Sequence, residues 1–265
     1  LHAARIQDVP TARAEVLLAF LELARDGDLY ETAARVISPI LIDIAPAAEL
    51  IWFAEEAGRV LIFTGALEQA MDWYDLAERE APGLPEARQV TARLWPLIQL
   101  SNPDEPTPLD GAMTKAWVKQ GVVVLMSSDE DGDDPSAGIK NAESVARYRG
   151  DMLLGLLDSV GKPVDISVWE DRFQKALGEK EEAQKSVSLP DLSLPSPVLW
   201  YGLRMAAEEL RLGETILFSL VALGSGDLSL VHPITLNEII SHLRLVGLDK
   251  EARDLALEAA IAAGL

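Results

Sequence analysis

Cysteine is absent from this chain, and that absence excludes disulfides, thiol nucleophiles and thiolate zinc sites together. It is compatible with a bacterial cytoplasm and with a periplasm. Histidine is nearly as scarce: of the three, His2 and His232 stand isolated, so no metal centre built on histidines is expected. Basic residues are outnumbered, 23 against 43 acidic ones, and the net charge of -20 repels a phosphate backbone or an anionic membrane surface. No run approaches the length of about 20 apolar residues that a membrane span needs, and no basic n-region precedes an apolar core. Serine-nucleophile, phosphate-loop and dinucleotide motifs are missing as well. The chain opens on Leu1 rather than methionine, as a mature or excised piece of a longer protein would. What remains is a soluble, acidic protein with no expected cofactor, metal or catalytic residue.

Apolar residues are plentiful, at 49% of 265 positions, enough for one large core or two modest ones. Their spacing is helical. Ile51, Ala54, Ala57, Gly58, Leu61 and Ile62 recur at the i, i+3, i+4, i+7 interval of one helix face, and Leu67, Ala70, Met71, Tyr74 and Ala77 form a second after Thr64-Gly65. Glycine at 65 suits the left-handed backbone that ends a helix, and Pro82-Gly83 closes the unit. Small residues at Gly58, Ala70 and Ala77 allow two helix axes to approach, with Tyr74 filling the groove beside them.

Gly58, Gly65, Ala70, Tyr74, Ala77 and Pro82 carry the small, aromatic and proline spacing of a tetratricopeptide repeat, which the stretch 51–82 resembles; Ala54 and Ala57 replace the usual tryptophan and leucine. The resemblance recurs loosely in 235–265, where Gly247, Ala252 and Ala259 repeat the spacing of Gly65, Ala70 and Ala77. It implies an all-α fold, a right-handed α-solenoid of irregular TPR-like hairpins. One hairpin cannot bury both faces, so neighbours of the same kind are expected.

Further helices are expected over 11–25, from 29 with a kink or break at Pro39, from Pro85 with a bend at Pro96, over 113–125, over 141–160 and over 166–177. Gly27 should correspond to Gly65. Leu199 to Leu210 forms a helix that Gly213 turns, and Ile216 to Leu223 returns as a strongly apolar helix that should be buried. Thr235 and Glu238 form a capping box, and Asp249 starts the last helix. Proline-rich 102–108 and the 179–197 stretch are linkers, which divides the chain into hairpins at 1–100, a middle segment at 109–178, the 179–197 linker and C-terminal hairpins at 198–265, all compatible with one continuous solenoid.

Candidate sites are few. The acidic loop Asp129 to Asp134 lacks the ligand order of an EF-hand and reads as a solvated loop. Gly224-Ser225-Gly226-Asp227 reads as a turn between helices. Glu238 and His242 share a helix face at four residues' separation, as surface pairs commonly do. Trp52, Trp73, Trp95 and Trp117 recur at nearly even intervals, either one per helix in the core or, for some, lining a groove as partner anchors.

The leading expectation is a non-catalytic scaffold of bacterial type that binds a protein or peptide. From the resemblance, the helix-A face would hold the partner, at exposed positions Glu55, Glu56 and Arg59 with Trp52 beside them, and an acidic groove would favour a basic segment. Two alternatives stand beside it. One is a helical enzyme or small-ligand domain with a site near Glu238 and His242; the other is a structural segment of a larger protein, which an exposed apolar face at an end of the stack would support.

Overall fold

The computed structural model of the chain describes residues 9–27, 29–101, 109, 111–117, 135–178, 194–224 and 228–265. Among these residues the protein is all-α, with no strand and a single parallel bridge between Leu109 and Val164. The expected connector at 102–108, the 118–125 part of the helix expected over 113–125, the acidic loop at 127–134, the 179–193 part of the linker, 225–227 and His2 lie outside the described residues. The chain forms two compact units, Leu1–Asn102 and Pro103–Leu265. The middle segment therefore shares a unit with the C-terminal hairpins.

The first unit contains α1 (Pro10–Asp26), α2 (Tyr30–Leu41), a 3-10 turn at Ala48–Leu50, α3 (Ile51–Phe63), α4 (Leu67–Glu80) and α5 (Pro85–Ser101). α3 packs on all the other helices, and α4 and α5 also pack on each other, as successive hairpins of a stack do. Phe53 of α3 meets Trp73 of α4 edge to face at 6.0 Å, both fully buried, and each such side chain contributes about 1.5–3 kcal/mol by leaving water.

Gly58 and Gly65 are there for different physical reasons. A Cβ at Gly58 would stand 2.5 Å from Leu94 Cδ1, so the missing side chain lets α3 approach α5. A Cβ at Gly65 would meet nothing, but the residue has φ +82°, and the Ala66 N–H donates to the Leu61 carbonyl to close the helix end. Gly27 differs from this expectation, with φ -95°. Neither proline breaks its helix on the spot: α2 runs two residues past Pro39, and α5 runs through buried Pro96 to Ser101.

The second unit contains α6 (111–117), α7 (Pro135–Ser159), α8 (Ile166–Gly178), α9 (Pro197–Glu208), α10 (Leu212–Leu223), a 3-10 turn at Leu228–Leu230, α11 (Pro233–Leu245) and α12 (Asp249–Ala262). The hairpins α9–α10 and α11–α12 pack on each other through α11, which also receives α7. A helix from earlier in the chain thus joins the last two hairpins. Arg244 of α11 donates to the Ser159 carbonyl at the end of α7, and Arg149 of α7 donates to the Ala263 carbonyl after α12, so α11 caps α7 and α7 in turn caps α12.

Two expected local features are corrected here. Thr235 does not open a capping box: Pro233 sets the helix start three residues earlier, His232 Nδ1 accepts from the Ile234 N–H as N-cap, and Thr235 is buried inside α11. Gly213 does not make the α9–α10 turn. Leu210 does, at φ +55°, with the Arg211 N–H donating to the Ala206 carbonyl as Ala66 does to Leu61, while Gly213 lies in the first turn of α10.

Candidate functional site

Glu55, Glu56 and Arg59 occupy one stretch of α3, but their side chains are engaged rather than free. The Glu55 carboxylate accepts two hydrogen bonds from Arg93 Nη1 of α5, at 2.9 and 3.0 Å, and lies 3.6 Å from Arg59 Nε. Glu56 accepts from the Tyr30 hydroxyl at 2.7 Å and from Arg25 at 2.9 Å, and the Arg25 guanidinium covers the Tyr30 ring. Burial, then the Glu56 charge, push the Tyr30 hydroxyl well above the usual tyrosine range. The expected exposure is corrected: these carboxylates are half-buried and tie α3 to its neighbours, through partners 26 to 38 residues away in sequence. Trp52 does remain exposed, its indole N–H given to the Glu49 carbonyl and its ring tilted against Phe53. Trp73 and Trp95 are buried.

An acidic depression does occur in the first unit, on α4 rather than α3. It is an open recess of about 700 Å³ lined by Pro46, Asp72, Asp75, Glu78 and Arg79. Nearby, the Tyr74 hydroxyl donates to Glu78.

In α11, His242 Nδ1 lies 2.6 Å from the backbone carbonyl of Glu238 and 3.6 Å from its carboxylate. The ring is thereby bound to its own helix. Among the described residues no group of three histidine or acidic side chains is poised to hold a metal ion, and no helix is long and apolar enough to cross a membrane.

Helix α10 departs furthest from its sequence expectation. Ile216 to Leu223 was expected inside, yet the residues of α10 that are buried are Thr215 and Ser219. Ile216, Leu217, Leu220 and Val221 are exposed, the last three at 58 to 60%. Sterics at the hairpin explain the inversion. Counting from the turn, Thr215 stands where Ala70 and Ala252 stand after Gly65 and Gly247, a position that admits only a small side chain against the partner helix. Its hydroxyl and that of Ser219 are satisfied by the carbonyls four residues back, Arg211 and Thr215. The Phe218 ring fills the space over Gly202 of α9, where a Cβ would meet it at 2.9 Å.

Ile216, Leu217, Leu220 and Val221 therefore point outward, and α9 adds exposed Val198 and Tyr201. Six side chains of this size leave on the order of 600 Å² of apolar surface on the two helices, an amount comparable to the patches that mark interaction sites on monomeric proteins. The signal was present in the sequence: two hydroxyl residues four apart in an otherwise apolar helix, at the small-residue interval from a turn. No family model, curated protein or solved structure matches this chain.

Proposed function

We propose that the protein is a non-catalytic helical-repeat scaffold, a right-handed solenoid of TPR-like hairpins, whose work is to hold another protein. The observation that carries this reading is the exposed apolar face of α9 and α10 at an end of the second unit's stack. Solvent contact with such a face is unfavourable by roughly 25 cal/mol per Å², which a protein partner would relieve. Support for the repeat comes from the turns: Gly65, Leu210 and Gly247 share left-handed φ, and a buried small residue follows each by five, at Ala70, Thr215 and Ala252.

A second reading has its own observation. The recess lined by Asp72, Asp75 and Glu78 would attract a basic segment, with an affinity that falls as salt rises. Affinity capture from an extract of the source cells separates the two. Leu217→Lys/Leu220→Lys should abolish capture on the apolar reading, and Asp72→Lys/Asp75→Lys on the acidic one. Capture that neither variant changes would contradict both surfaces.

A further inference from the structure

The exposed face of α10 has an internal order. Among its exposed positions, which also include Leu212 and Glu214, Gly213, Ile216, Leu217, Leu220 and Val221 follow the i, i+3, i+4, i+7, i+8 interval of one helix stripe, and Gly224, which caps the helix at φ +73°, follows at i+11. This series reads nearly the same in either direction about its midpoint: glycine, β-branched residue, leucine, leucine, β-branched residue, glycine. An antiparallel neighbour related by a two-fold axis through that midpoint would set Leu217 on Leu220, Ile216 on Val221 and Gly213 on Gly224. Self-complementarity of this kind is what an isologous interface requires, each residue meeting the copy of its counterpart. The terminal glycines carry no side chain to hold the two axes apart, and the bulk lies in the centre, where ridges pack into grooves.

Charge points to the same occupant. A chain of net charge -20 repels its copy over most of its surface. The described stretch 194–224 departs from that trend, with Arg204 and Arg211 against Glu208, Glu209 and Glu214, a net charge of -1. From Thr215 to Gly224 there is no charge at all, and Glu214 is paired within the chain to Arg211. Interface cores are depleted of charge in this way. The exposed side chains of α10, with Val198 and Tyr201, offer on the order of 600 Å², against the roughly 800 Å² that each partner gives to a standard interface.

We infer that the chain pairs with a second copy of itself through α10, antiparallel across a two-fold axis, with Val198 and Tyr201 of α9 at the margin. This rests on the proposed reading of the face as a docking surface and names its occupant.

The test is sedimentation equilibrium of the full chain across the micromolar range, with wild type beside Leu217→Lys/Leu220→Lys. Both positions are exposed, so the variant should keep its helical circular dichroism. The inference predicts twice the chain mass for wild type and a dimer dissociation constant raised about 100-fold or more in the variant. It also fixes the register. The chain has no cysteine, so Ile216→Cys/Val221→Cys supplies its only thiols, and oxidation should link two chains, whereas Ile216→Cys alone should not.

A monomeric wild type would overturn the second-copy assignment, and hydrogen exchange would then show whether the docking reading survives. Fast exchange along 212–224, with binding of a dye for apolar surfaces, means the face is open to a different protein. Protection equal to the core means the chain covers its own face, and both readings fall. A dimer unaffected by the lysine variant would place the interface elsewhere and likewise overturn the inference.

Discussion

Arg244 donates to the Ser159 carbonyl at 2.9 Å across 85 residues of sequence, and a side chain on Gly161 would collide with the same guanidinium. The end of α7 is thus closed by a cation from α11, while Arg149 of α7 returns the contact at Ala263. A charged donor on a helix C-terminus is worth about 1–2 kcal/mol when partly buried. Arg244→Met should therefore lower the unfolding free energy of the second unit, measured in urea, by that amount, and the loss with Arg149→Met should be less than additive. Fully additive losses would mean the two caps are independent and α7 is not locked to the hairpin.

Leu210 holds a left-handed conformation that costs a side-chain-bearing residue about 1–2 kcal/mol, and it is 66% exposed, so little burial offsets that cost. Leu210→Gly is predicted to stabilise the protein by about 0.5–1 kcal/mol after the greater unfolded-state freedom of glycine is counted. Chemical denaturation with an unchanged m-value measures it. A destabilised variant would show that the Leu210 side chain packs in a way its exposure denies.

Two glycines of the central hairpin should respond oppositely to the same probe. Asparagine tolerates left-handed φ, so Gly65→Asn should cost well under 1 kcal/mol, with open space around it. At Gly58 any Cβ meets fully buried Leu94, and Gly58→Asn should cost about 3 kcal/mol or more through overpacking and an unpaired amide. Similar losses at both sites would contradict the separate roles given to them.

Much of this architecture is legible from residue spacing because local sterics set it. Helices α3 and α4 follow from periodicity and small residues, and the Gly65 turn from the conformational demand on one position. Other features escape apolar spacing taken alone. Glu55 and Glu56 look like free carboxylates because Arg93, Tyr30 and Arg25 lie far away in sequence. Pro233 pre-empts the helix start that Thr235 and Glu238 suggest, since its fixed φ suits the first helical residue. In α10, composition points inward and geometry outward; packing room at Thr215 and Ser219 decides, and the large apolar residues are left facing solvent.

Tyr30 links stability to alkaline pH. Its hydroxyl is held protonated above the ordinary value of 10.0, first by burial and then by Glu56, so the unfolded chain loses that proton before the folded one does. Its contribution is fully present below pH 10 and is lost as pH rises through the raised folded value. Tyr30→Phe should flatten the fall in urea midpoint above pH 10, while costing about 1 kcal/mol at neutral pH for the hydrogen bond to Glu56. An equally steep alkaline fall in the variant would assign that behaviour to another group.

The central claim is that the protein works by protein contact through the α10 face. Its most direct test is a photo-activated cross-linking residue placed at position 220 in cells, beside the same residue at position 55. Adducts to protein at 220, with little at 55, are the predicted result. No adduct at 220, with strong labelling at 55, would contradict it.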